Sequence, residues 1–160
     1  RRQHIMNLTC HLSSIYRLLL ASLVLSFALS LSLPSYAEQA IQSQKYDIHY
    51  NAFNTMMVTP EVAQAYGFTR ARNRALLNVS VIDNVTKKSL PAVVTGTRKN
   101  IIGQILPLEF LQIKEQNAIY YIAQLRFTEE EMWRFELQIQ PDLNADAIPL
   151  KFSQTFFLEQ

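Results

Sequence analysis

Between Trp133 and Gln140 the chain reads WRFELQIQ, with an apolar residue at every second position. Side chains of a β-strand alternate between its faces, so Trp133, Phe135, Leu137 and Ile139 point to a core while Arg134, Glu136 and Gln138 point to water. This period of two recurs from residue 45 onward and constrains the fold more than any other feature. In KYDIHYNAF it sends Tyr46, Ile48 and Tyr50 inward, with Lys45, Asp47, His49 and Asn51 opposite. In ALLNVSVID it buries Leu77, Val79 and Val81 and leaves Asn78 and Ser80 outside. AIYYIAQLRF buries Ile119, Tyr121, Ala123, Leu125 and Phe127, and LKFSQTFFLE buries Leu150, Phe152, Phe156 and Leu158. AVVTGTR and IIGQILPLEFLQI are further strands, the second bent or at an edge near Gly103 and Pro107. Polar turns such as DNVTKKS and KEQN separate the runs. About seven antiparallel strands joined by short turns predict an all-β antiparallel sandwich.

One stretch, TPEVAQAYG, breaks the alternation. Thr59 suits a helix N-cap, Pro60 the first helical position, Glu61 the positive end of the helix and Gly67 its termination. The spacing predicts one short helix connecting the first two strands.

Residues Leu18 to Leu33 carry no charge over sixteen positions, with Arg17 before them and Ser35-Tyr36-Ala37 after. A basic flank, an apolar run and a small-x-small site define a secretory signal peptide, cleaved here between Ala37 and Glu38. The expected organisation is a leader over 1–37 and a single sandwich domain over 38–160, exported to the periplasm without a membrane span. The alternative is an inner-membrane anchor facing the periplasm, but sixteen residues fall short of the roughly 20 a spanning helix needs. Cys10 precedes the apolar run, so it cannot serve as a lipoprotein cysteine.

Removing the leader changes the charge balance. Arg1, Arg2 and Arg17 leave with it and no acid does, so 12 basic side chains face 13 acidic ones, a net charge of −1. A basic footprint for nucleic acid is therefore absent. The domain also contains no cysteine, hence no disulfide despite an oxidising destination.

Few catalytic constellations remain. His49 is the one histidine after the leader, because His4 and His11 lie within it. A Ser–His pair would need Ser43, Ser80, Ser89 or Ser153 beside His49. The three glycines, Gly67, Gly96 and Gly103, form no phosphate-cradling loop. The expectation is a protein that is not an enzyme and uses no cofactor, with a small hydrolase as one alternative. A second alternative is a periplasmic copper protein using His49, Met56 and Met57, since imidazole and thioether suit copper. Against it, the methionines would simply fill a core gap or an interface.

Arg70, Arg72 and Arg74 share the parity of Asn78 and Ser80. On an unbroken strand their guanidiniums would project from one face about 6.5–7 Å apart, matched to carboxylate or phosphate. They form either an anion-binding stripe or a scaffold paired with Asp47, Glu136 or other outward acids. With His49, Asn51 and Asn54 they make the candidate binding surface, for an envelope protein or an anionic envelope component.

The run YDIHYNAFNTMMVTPEVAQAYGFTRARNRALLNVSVID resembles the opening of domain-of-unknown-function family 4426 (DUF4426), and the similarity extends over essentially all of residues 38–160. The resemblance implies an exported protein of Gram-negative bacteria with an immunoglobulin-like sandwich. It implies no catalytic or ligand residue.

Overall fold

Alternation in the sequence becomes nine β-strands in the structure, a computed structural model that describes residues 39–42, 45–144 and 146–159. The leader and the Ala37–Glu38 cleavage position lie outside the described residues. The strands are β1 (Gln39–Gln42), β2 (Tyr46–Asn54), β3 (Arg74–Asp83), β4 (Val93–Asn100), β5 (Ile105–Pro107), β6 (Phe110–Glu115), β7 (Ala118–Arg126), β8 (Glu131–Gln140) and β9 (Ile148–Phe156). They pair antiparallel throughout, in a five-stranded sheet ordered β1-β2-β3-β7-β6 and a four-stranded sheet ordered β5-β4-β8-β9.

The expected antiparallel sandwich is thus found. Ile48, Leu77, Val79, Val81 and Ala123 of the first sheet face Phe135, Leu137, Ile139 and Leu150 of the second across one core. Aromatic side chains link the layers: Tyr50 on β2 meets Phe152 on β9 at 4.7 Å between ring centroids, and Phe152 stacks on Phe135 at 4.7 Å. Close approach of β4 to β8 requires Gly96, where an added Cβ would fall 2.5 Å from Leu137 Cδ2 and 2.6 Å from the Glu136 carbonyl oxygen.

The helix forms where its caps predict it. Helix α1 (Pro60–Tyr66) takes Thr59 as N-cap, whose hydroxyl accepts from Val62 N–H, and ends at Gly67 with φ +72°. It buries Ala63, and Tyr66 donates its hydroxyl proton to Glu115 at the end of β6. Glu115 thereby raises the Tyr66 pKa.

Three expectations are corrected. IIGQILPLEFLQI lies at sheet edges as expected but is not one bent strand: it reverses at Ile101–Ile102 and divides into β5 and β6, the edge strands of different sheets. Leu76, at outward parity, is buried, because the chain between β2 and β3 covers that face; Leu76 lines a small cavity with Val62, Tyr66 and Phe68. Leu158 lies beyond β9 and is exposed.

Candidate functional site

β4 carries a charge at core parity. Val94, Gly96, Arg98 and Asn100 share one face of the strand, and Val94 packs in the core. Arg98 therefore points inward, flanked in register by Leu106 on β5 and Phe135 on β8. Trp133, two residues before Phe135, is its diagonal neighbour. The guanidinium carbon lies 4.0 Å from the Trp133 ring centroid. Both side chains are withdrawn from solvent, Arg98 at 9% exposure and Trp133 at 2%.

Arg98 Nη1 donates to the Arg126 carbonyl at 2.7 Å, and its other guanidinium donors have no acceptor among the described residues. No carboxylate stands within ion-pairing distance there; the ion pairs among the described residues are Lys87–Asp47 and Lys151–Glu136. The indole N–H of Trp133 is buried and has no acceptor among the described residues. Burying a cation without a counter-ion costs several kcal/mol. That burial pulls the Arg98 pKa below its ordinary value, with the field of Glu131 opposing. The group stays protonated, because a guanidinium titrates far above neutral pH.

This pair opens on a cleft of about 500 Å³ lined from β4, β5, β7 and β8 and from Asn73 just before β3. Leu106, Phe127 and Leu158 give it apolar walls, and Glu129 and Glu131 also line it. Its chemistry is that of a receptor: a guanidinium fork can hold a carboxylate in bidentate fashion, and stacking on the indole fixes its plane.

The residues singled out by sequence fall elsewhere. Arg70, Arg72 and Arg74 do not form a stripe, since β3 begins at Arg74 and the chain turns at Arg72–Asn73. Thr55 pins that segment: its hydroxyl donates to the Ala71 carbonyl and accepts from Ala71 N–H, each at 3.0 Å. Asn54 adds a bond from Nδ2 to the Arg72 carbonyl at 2.8 Å and caps the 3-10 turn Thr55–Met57 through Met56 N–H. Asn54 thus acts within the fold. Arg70 Nη2 donates to the Met56 carbonyl at 3.3 Å, and Arg72 Nε donates to the Glu159 carbonyl. Arg74 stands opposite Arg126 in register. The expected acidic partners are committed elsewhere, Asp47 to Lys87 at 3.2 Å and Glu136 to Lys151 at 3.4 Å.

His49 faces Ser80 across β2 and β3, and both line an open cavity of about 270 Å³ with Ser89. Ser89 is occupied by the backbone of Ile119, accepting from its N–H at 3.0 Å. Asn51 is exposed opposite Asn78. Met56 and Met57 are exposed beyond the far end of β2. Five strand steps, about 17 Å, separate His49 from Asn54, so the structure does not assemble His49, Met56 and Met57 into one ligand set. Among the described residues no group of three or more His, Cys, Asp or Glu side chains stands together as a metal site.

Sequence alternation marks Trp133 only as a core residue and does not single out Arg98, although a signal is there. Arg98 follows Val94 and Gly96 at even spacing, which puts a charge on a core face.

The family of unknown function DUF4426 matches residues 41–159. The chain belongs to the DUF4426 family. A crystal structure of a DUF4426 family protein from Pseudomonas aeruginosa is 31% identical, with a TM-score of 0.68, and the match covers 77% of this chain and 97% of that one. A copper-bound variant of FetP from uropathogenic Escherichia coli is 13% identical with a TM-score of 0.50, covering 76% and 95% of the two chains. That likeness is one of fold alone. Among curated proteins none matches this DUF4426 chain. No helix of the described residues is long and apolar enough to cross a membrane.

Proposed function

We propose that the protein is a non-enzymatic binding module of the bacterial envelope, exported to the periplasm, that holds the anionic group of its ligand at Arg98 and Trp133. One observation carries this reading: Arg98 is buried in an open cleft with no carboxylate within ion-pairing distance among the described residues. Stability alone does not favour such a group, whereas an anion entering the cleft would gain a desolvated, charge-assisted contact worth about 1.5–3 kcal/mol per hydrogen bond. Trp133 is the single tryptophan of the chain, so its fluorescence reports on this place and no other. Titrating 3-phenylpropanoate, a small apolar carboxylate, into the purified protein should change that fluorescence saturably, with half-saturation below about 1 mM. Arg98→Met should abolish the response while the far-ultraviolet spectrum stays that of a folded β protein. A titration without effect at about 10 mM counts against the reading.

A second reading, a small hydrolase, is favoured by one observation, that His49 and Ser80 face each other across β2 and β3 in one cavity. Hydrolysis of 4-nitrophenyl acetate above the buffer rate, lost in Ser80→Ala and in His49→Ala, would support it. An unchanged rate in both variants would remove it. Copper binding, the remaining alternative, keeps only the likeness of fold to a copper-bound protein. Its expected ligands His49, Met56 and Met57 lie apart.

A further inference from the structure

Two carboxylates share the cleft with Arg98, and their placement restricts the ligand further. Glu131, half-buried, accepts through Oε2 from the Thr128 backbone N–H at 2.9 Å and from the Thr128 hydroxyl at 3.2 Å. That turn fixes the carboxylate, while Oε1 has no partner among the described residues. Glu129 is exposed, lines the cleft and forms no ion pair among the described residues. Arg126 also lines the cleft, where its carbonyl accepts from Arg98, and its exposed side chain has the parity opposite Leu125 and Phe127, which point into the core. The cleft therefore presents both signs of charge, with Arg98 withdrawn from solvent and Glu129 exposed.

A dianion or a polyanion at Arg98 would lie in a cleft that two carboxylates also line, and like charges close together in a partly desolvated site repel strongly. A ligand carrying an ammonium group beside its carboxylate finds an opposite charge in the cleft for each group. The walls add a third requirement, since Leu106, Phe127 and Leu158 offer apolar surface and no further charge. The volume of about 500 Å³ falls within the usual range of small-molecule sites.

Resting on the reading of this cleft as an anion site, we infer that its ligand is a zwitterionic α-amino acid with an apolar side chain. The carboxylate lies against the Arg98 fork, the α-ammonium faces Glu129 and Glu131, and the side chain packs on the apolar walls.

Three probes of nearly equal shape test this by calorimetry on the purified protein. They are L-phenylalanine, 3-phenylpropanoate, which lacks the ammonium, and L-phenylalaninamide, which lacks the carboxylate. L-Phenylalanine should bind at least about tenfold more tightly than either, the effect of one charge-assisted contact. In E129Q/E131Q the preference for L-phenylalanine over 3-phenylpropanoate should fall to about threefold or less. If that double variant does not fold, E129Q alone, on an exposed residue, should narrow the preference in the same direction. 3-Phenylpropanoate binding as tightly as L-phenylalanine would overturn the zwitterion and leave the anion site standing. Silence from all three at about 10 mM would overturn both.

Discussion

Arg98 stacks on Trp133 with its guanidinium carbon 4.0 Å from the ring centroid, and among the described residues neither side chain finds an anion or acceptor for its outstanding donors. The two meet because β4 and β8 pair with Arg98 opposite Phe135, which makes Trp133 the diagonal neighbour on the inward face. Sheet register thus places a cation against the only indole of the chain.

A group kept for binding need not stabilise the fold. Arg98→Met fills the same space without charge, so the unfolding free energy should stay within about 1 kcal/mol of wild type or rise, because apolar replacement of a buried charge is commonly neutral or stabilising. Urea unfolding measures it. A loss above about 3 kcal/mol would make Arg98 a structural residue and weaken the case for a site.

Gly96 makes a contrasting prediction in the same strand. A methyl group there would stand 2.5 Å from Leu137 Cδ2 and 2.6 Å from the Glu136 carbonyl, and the backbone atom cannot swing aside. Gly96→Ala should destabilise by about 1–3 kcal/mol, the usual range for overpacking. Thermal unfolding indistinguishable from wild type would mean that β4 and β8 can separate locally.

Thr55 holds the segment that carries Arg70 and Arg72. Its buried hydroxyl both donates to and accepts from Ala71. Thr55→Val should cost about 1–3 kcal/mol by stranding those backbone groups, and Thr55→Ser should restore most of it. Equal stability of the valine and serine variants would show that the bonds contribute nothing.

These residues also show where sequence reasoning succeeded and where it stopped. Period-two alternation located β2, β3, β7, β8 and β9 because each has one face on the core, a property written within the strand itself. The capping signals of Thr59, Pro60 and Gly67 located α1 for the same local reason. The arginine run was misread because its break is enforced from a distance, by Asn54 and Thr55 sixteen to eighteen residues away. The Arg98 cleft is assembled by β4, β5, β7 and β8, and no short window of sequence contains it. Its one local trace is the core parity of Arg98.

Asp83 gives a pH prediction. Bonds from the Thr86 backbone and hydroxyl, then from the Val85 N–H, lower its pKa from an ordinary 3.8. A depressed folded pKa means that the stabilisation is present above the ordinary value and fades as pH falls through the folded one. Between pH 5 and pH 3, Asp83→Asn should therefore lose less stability than wild type. An identical loss in both proteins would show that this turn does not contribute.

The most direct measurement is the indole ¹H–¹⁵N resonance of Trp133, one signal in a chain with one tryptophan. Addition of 3-phenylpropanoate should move it saturably in the wild type and leave it still in Arg98→Met. A resonance unmoved in the wild type, or moved equally in the variant, would contradict an anion site built on Arg98 and Trp133.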